Sequence, residues 1–144
     1  TGKFEAVWGQ DGTGPGQFKE PMGLAVDQQG NVYVADTWNR RIQKFDANGV
    51  FQSQISVGSW PSAQALYGEP FLAVEPNGTI VATDPTRSRV LAFNAAGALV
   101  TGWGGPGSDN SSLTSPTGIA VNPSGEVVVS DTVNGRLLVF PAPK

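Results

Sequence analysis

Short runs of Val, Ile, Leu and aromatic residues alternate along the chain with Gly, Asn, Asp and Pro, and the runs return in the same order. The first copy reads Gly23-Leu24-Ala25-Val26-Asp27, a Gly-Asn turn at 30–31, Val32-Tyr33-Val34-Ala35-Asp36-Thr37, then Asn39-Arg40-Arg41-Ile42-Gln43-Lys44-Phe45. The second carries Leu72-Ala73-Val74, Asn77-Gly78, Ile80-Val81-Ala82-Thr83-Asp84 and Arg89-Val90-Leu91-Ala92-Phe93. The third carries Gly118-Ile119-Ala120-Val121, Ser124-Gly125, Val127-Val128-Val129-Ser130-Asp131-Thr132 and Asn134-Gly135-Arg136-Leu137-Leu138-Val139-Phe140. Aligned on Asp36, Asp84 and Asp131, the copies are 48 and 47 residues apart.

Each copy therefore predicts three short antiparallel strands separated by hairpin turns. A fourth run follows in Val50 to Val57 and Ala98 to Trp103, and an equivalent run, Gly2 to Trp8, opens the chain. Four strands per unit at this period describe a propeller blade. The middle run is apolar on both alternations, as in Val127-Val128-Val129, which suits a strand covered on both faces by neighbouring blades. The expected fold is all-β, with three blades over residues 21–57, 70–103 and 116–140 in one unit of residues 1–144. Residues 3–8 are expected to be an outer strand that closes a blade.

The pieces Gly-Leu/Ile-Ala-Val, Val-Ala/Ser-Asp-Thr and Asn-x-Arg-Ile/Leu occur in the order of NHL repeats, and the chain resembles that family over essentially its whole length. The resemblance implies a β-propeller, usually of six blades. Copy two departs from the pattern: counted from Pro70 it lacks the residue equivalent to Gly23 or Gly118, and it has Asp84-Pro85 where the others have Asp-Thr. Three blades cannot close a ring, and an open arc would leave an apolar face at each end. The expectation is a homodimer forming a six-bladed ring, each N-terminal strand pairing with the partner's last blade; the alternative is a fragment of a longer chain.

Two residue types are absent from the composition. Among 144 residues there is no Cys and no His, which removes disulfides, thiolate chemistry, the commonest general base and the two best zinc ligands. The nine Lys and Arg side chains are scattered and the net charge is −3, so nucleic acid is not an expected partner. No apolar stretch is long enough to cross a bilayer, and membrane insertion of this segment is not expected. The Asn-x-Ser/Thr matches at Asn77 and Asn110 are discounted, Asn77-Gly78 being already explained as a hairpin turn.

Two readings stand for the repeated Asp36, Asp84 and Asp131: carboxylates holding calcium or serving catalysis, or acceptors of backbone N–H groups in their own turns. Arg41, Arg89 and Arg136 also recur once per blade, and a structural bond between turn and neighbouring blade is expected of them. The long connections Gly9 to Pro21, Gly58 to Pro70 and Gly104 to Pro116 carry Phe18, Tyr67 and Leu113 three residues before the proline, as anchors. Trp8 and Trp103 match each other and are expected in the core. Trp38, Arg40, Trp60 and Arg87 lie in connections on one propeller face and are the candidate binding residues, as an aromatic and cationic patch at the channel mouth. The other reading of the two tryptophans is that they roof the blades.

The leading functional reading is a non-catalytic binding scaffold for a protein, peptide or carbohydrate, with no cofactor. Family resemblance also implies a second class: NHL-like propellers include a zinc-dependent lyase of peptidyl-hydroxyglycine, whose histidine ligands this chain cannot supply, and related folds include lactone hydrolases. A carboxylate-held calcium ion at Asp36 and Asp84 would be the site to inspect. A third reading is the soluble, extracytoplasmic domain of a larger bacterial membrane protein or sensor. Compartment is otherwise open.

Overall fold

Wherever β-branched runs alternate with turn residues, the chain forms antiparallel ladders. The computed structural model describes residues 2–62 and 68–143, which excludes the expected anchor Tyr67. Two short strands, β1 (Gln10–Asp11) and β2 (Gln17–Phe18), pair in parallel ahead of the first blade. Blade 1 is β3 (Pro21–Val26), β4 (Val32–Asp36), β5 (Arg41–Phe45) and β6 (Phe51–Ser56), in that order across the sheet. Blade 2 is β7 (Leu72–Val74), β8 (Ile80–Asp84), β9 (Arg89–Phe93) and β10 (Leu99–Gly104). Blade 3 has three strands, β11 (Pro116–Val121), β12 (Val127–Asp131) and β13 (Arg136–Phe140).

The hairpins are set by side chains that act on their own backbone. Asp46 Oδ1 accepts the N–H groups of Asn48 and Val50, each at 2.9 Å, while Gly49 takes φ +79°. Asn94 builds the equivalent turn in blade 2, and Asn122 acts in the same way on the turn between β11 and β12 of blade 3.

The residue missing from copy two proves to be a β-bulge. In blades 1 and 3 the inner ladder slips by one residue between Pro21 and Leu24 and between Pro116 and Ile119, whereas β7 pairs with β8 without a slip. The bulge brings inner strands together: Gly23 N–H donates to Pro70 O at 3.1 Å, and a Cβ on Gly23 would lie 2.6 Å from Phe71 Cα.

Two cores fill the spaces between blades. Tyr33, Ile42 and Val57 of the blade 1 segment meet Leu72, Ile80, Leu91 and Phe93 of blade 2. On the other face of blade 2, Val81, Val90 and Ala92 meet Leu113, Val127 and Val129 of the blade 3 segment. The two outer faces have no such cover. Leu24 and Val26 on blade 1 are 65% and 57% exposed, and Leu137 and Val139 on blade 3 are 70% and 59% exposed.

Residues 3–8 do not form the expected strand. Within one chain they face no sheet edge with which to pair, and a strand without a ladder leaves its backbone groups to water. Trp8 alone is fixed: its ring lies 4.7 Å from that of Phe45 and rests over Gly49. It is 41% exposed and so is not the core residue expected, while its counterpart Trp103 is half-buried against Phe140, with ring centroids 5.8 Å apart.

Candidate binding face

In blades 1 and 2 the connections from second to third strand, and from fourth strand to the following blade, emerge on one face, which the β12–β13 turn of blade 3 shares. A repeated ion pair holds these connections. Asp36, Asp84 and Asp131 are wholly buried and accept from Arg41, Arg89 and Arg136 Nε at 2.7, 2.9 and 2.7 Å. The backbone donors to Asp36 and Asp131 are Lys19 and Thr114, at 2.7 and 2.6 Å, which lie in the long upstream connection and not in the turn of the aspartate itself. Asn39 and Asn134 add side-chain N–H bonds to the same carboxylates.

The arginines complete the lock. Arg41 Nη2 donates to the carbonyls of Gly14 and Gln17, and Arg136 reaches those of Ser108, Asp109 and Ser112. They pin the connection leading into their own blade, where sequence reasoning looked for a bond to a neighbouring one. Burial alone would raise the Asp131 carboxyl, but Thr114, Asn134 and the Arg136 guanidinium together hold it below the ordinary range. Among the described residues no group of three or more His, Cys, Asp or Glu side chains converges as metal ligands.

Phe18 and Leu113 close the loops from within. Phe18 packs 5.7 Å from Phe45, Leu113 is fully buried, and each lies where a Cβ on Gly9 or Gly104 would clash.

The four candidate residues separate into two kinds. Trp60 is 2% exposed, belongs to the core between blades 1 and 2, and donates its Nε1–H to Thr83 O at 3.2 Å. It is a roof to the blades and cannot contribute to an accessible patch, because its indole is enclosed and its one donor is paired. Trp38 is half-buried on the β4–β5 turn, with its backbone N–H bonded to Lys19 O. Arg40, beside it, is exposed at φ +52°. Arg87 is exposed on the equivalent turn of blade 2, inside the 3-10 turn Pro85–Arg87.

Alignment of the three turns explains Arg87. It stands at the position of Asn39 and Asn134, so blade 2 has lost the asparagine of the lock, and Thr86 Oγ1 donates to Asp84 instead, at 3.2 Å. A cationic side chain there is not required by the fold.

One surface residue was missed by sequence reasoning. Phe71 is 36% exposed at the head of the inner strand of blade 2, in the position taken by Met22 and Thr117 in the other blades. The signal was present as the residue following Pro21, Pro70 and Pro116. Beside it a run of hydroxyls joins blades 2 and 3: Thr83 Oγ1 accepts from Phe71 N–H at 2.8 Å and donates to Thr117 O at 3.1 Å.

Three blades of antiparallel sheet with a repeated Asp–Arg lock define a β-propeller repeat protein. The NHL repeat family profile matches residues 18–45 and 113–140, which are the two copies that keep the bulge glycine and the Asp-Thr turn, and the chain belongs to the NHL-repeat family. Protein brain tumor of Drosophila melanogaster is 36% identical over 103 residues, covering 70% of this chain and 10% of that protein. A probable peptidyl-alpha-hydroxyglycine alpha-amidating lyase of Caenorhabditis elegans is 30% identical over 105 residues, covering 71% of this chain and 27% of that one. The solved structure of a streptogramin B lyase has the same fold, with TM-score 0.54 and 15% identity over 86% of this chain and 41% of its own. The chain thus spans less than half the length of each of these proteins.

Proposed function

We propose that the chain is a non-catalytic binding module that forms a six-bladed ring with a second copy and engages a peptide segment of a partner protein on its loop face. The observation that carries this reading is the turn Asp84-Pro85-Thr86-Arg87, where a lock residue gives way to an exposed cation. Trp38 and Arg40 on the equivalent turn of blade 1, and Phe71 beside the channel, add aromatic surface and charge on the same face. Trp and Arg are the residue types that most often dominate binding energy. The Asp–Arg locks support the reading physically, since loops pinned before binding lose little entropy on it.

Selection from a random peptide display library tests the proposal. Peptides selected on the wild-type protein are expected to lose at least tenfold in affinity for W38A and R87A, and to keep it for substitutions at Ala47 or Ala95 on the opposite face. Binding that survives both W38A and R87A contradicts the proposed face. Selection of glycans but no peptides on arrays of both contradicts the proposed partner class.

A further inference from the structure

A groove of about 380 Å³ opens between blades 1 and 2 at the loop face and runs along β9. Ser56 and Ser59 of the blade 1 segment stand on one side of its mouth, and Arg87 and Arg89 on the other. Leu91, Phe93 and Leu99 line its deeper part. Leu91 and Phe93 are 4% and 3% exposed and belong to the core between the two blades, whereas Leu99, which faces Phe93 across the ladder, is 60% exposed.

Two departures of blade 2 from blade 1 shape this groove. In blade 1, Gln54 faces Gln43 on the outer ladder and its Oε1 accepts from Arg41 Nη1 at 2.9 Å. The same register in blade 2 sets Gly102 opposite Leu91, so no side chain lies over Arg89 from that position. Arg87 is the second departure, a cation where the other blades spend an asparagine on the lock. Arg89 is accordingly 35% exposed where Arg41 is 9% exposed.

The charges at the mouth do not cancel. Asp84 balances Arg89, holding its Nε–H at 2.9 Å, and Arg87 forms no ion pair among the described residues. A net positive charge thus stands above an apolar floor, on a chain whose net charge is −3. A nucleic acid strand calls for a track of cations, which the scattered Lys and Arg do not provide. A single carboxylate beside an aliphatic side chain matches the groove in both charge and polarity.

We infer that the groove receives an acidic residue and an apolar residue of the bound peptide, the carboxylate between Arg87 and Arg89 and the apolar side chain against Leu91, Phe93 and Leu99. The inference rests on the peptide-binding reading above and specifies the chemistry of the peptide. The Ser56 and Ser59 hydroxyls face the same carboxylate as further donors. Arg89 and Phe93, four residues apart on one strand, are separated by about 13 Å, at roughly 3.3 Å per residue. An extended peptide spans this distance with residues four positions apart, whose side chains point to the same side.

A synthetic array of nonapeptides tests the inference, each with Glu and Leu four positions apart in one order or the other, beside copies with Gln for Glu or Ser for Leu. The peptides that bind best are then measured by fluorescence polarisation. Replacing Glu by Gln is expected to weaken binding roughly tenfold, and raising the salt is expected to shrink that difference. S59D is expected to abolish the preference for Glu over Gln, and L99S the preference for Leu over Ser, both with unchanged circular dichroism. Peptides that bind equally with Glu and Gln, or whose preferences survive S59D and L99S, overturn the acidic subsite; if W38A and R87A still weaken them, the peptide-binding face stands. Absence of peptide binding, or displacement of the Glu peptide by a single-stranded RNA of mixed sequence, overturns both.

Discussion

Arg41 Nε–H donates to Asp36 Oδ2 at 2.7 Å with the aspartate wholly enclosed and the arginine side chain 9% exposed, whereas Arg89, in the same pair of blade 2, is 35% exposed. One repeated interaction is thus dry in one blade and partly wet in the next. Arg136 lies between, at 25%.

This gradient orders the cost of removing each arginine. Truncating one partner of a buried pair leaves an uncompensated charge and costs about 3–5 kcal/mol, and solvent reduces the penalty. Urea unfolding is expected to show R41A as the most destabilised variant, R136A next and R89A least. Equal losses in all three would contradict a burial-controlled lock.

Acid is expected to open the blade 3 lock through Asp131. Its carboxyl lies below the ordinary value of 3.8 when folded, so the stability it contributes is complete above that value and is lost as pH falls through the lower folded value. D131N is expected to be less stable than wild type at pH 7, with the gap closing as pH falls below about 4. A gap that does not narrow in acid rules out this linkage.

Glu75 behaves in the opposite sense. Burial pushes its carboxyl above 4.5, offset in part by Asn77 and Thr79, and Oε1 has no partner among the described residues. Its charged form costs stability as pH rises from 4.5 through the raised folded value. E75Q is expected to stabilise the protein at pH 7, by roughly the 1–3 kcal/mol of an unsatisfied buried polar group at most, and to match wild type in acid. Destabilisation at neutral pH would show that the ionised carboxylate is instead satisfied there.

Two glycines separate packing from flexibility. A Cβ on Gly23 would meet Pro70 O and Phe71 Cα at 2.6 Å, backbone atoms that cannot step aside, while Gly58 has nothing within 4 Å and no positive φ. G23A is expected to lose about 1–3 kcal/mol in thermal or urea unfolding. G58A is expected to be neutral or to gain about 0.4–1 kcal/mol through the unfolded chain. A reversed order would contradict the close approach of blades 1 and 2.

Most of the architecture was legible because turn residues and β-branched runs recur in register; even the gap after Phe71 marked a real difference, the absent bulge. Three other features were not legible. Trp60, unique to its copy, stood open between a surface patch and a roof to the blades, because burial depends on the neighbouring blade, and its hydrogen bond to Thr83 spans 23 residues. Residues 3–8 carry the pattern of a strand, but a strand exists only where an edge accepts it, and no sequence pattern states that no edge is within reach. The partners of Asp36 and Arg41 were hidden for a related reason: they are backbone groups of the upstream connection, and backbone groups leave no trace in the identity of the residues that bear them.

The mass of the protein in solution, measured by light scattering after size exclusion over a wide range of concentrations, decides whether two copies form the ring. A mass near twice 15.0 kDa that persists on dilution is the predicted result, since it covers the exposed Leu24, Val26, Leu137 and Val139 in one closed ring. A folded species that stays at 15.0 kDa throughout would contradict the ring and leave both outer faces without a partner.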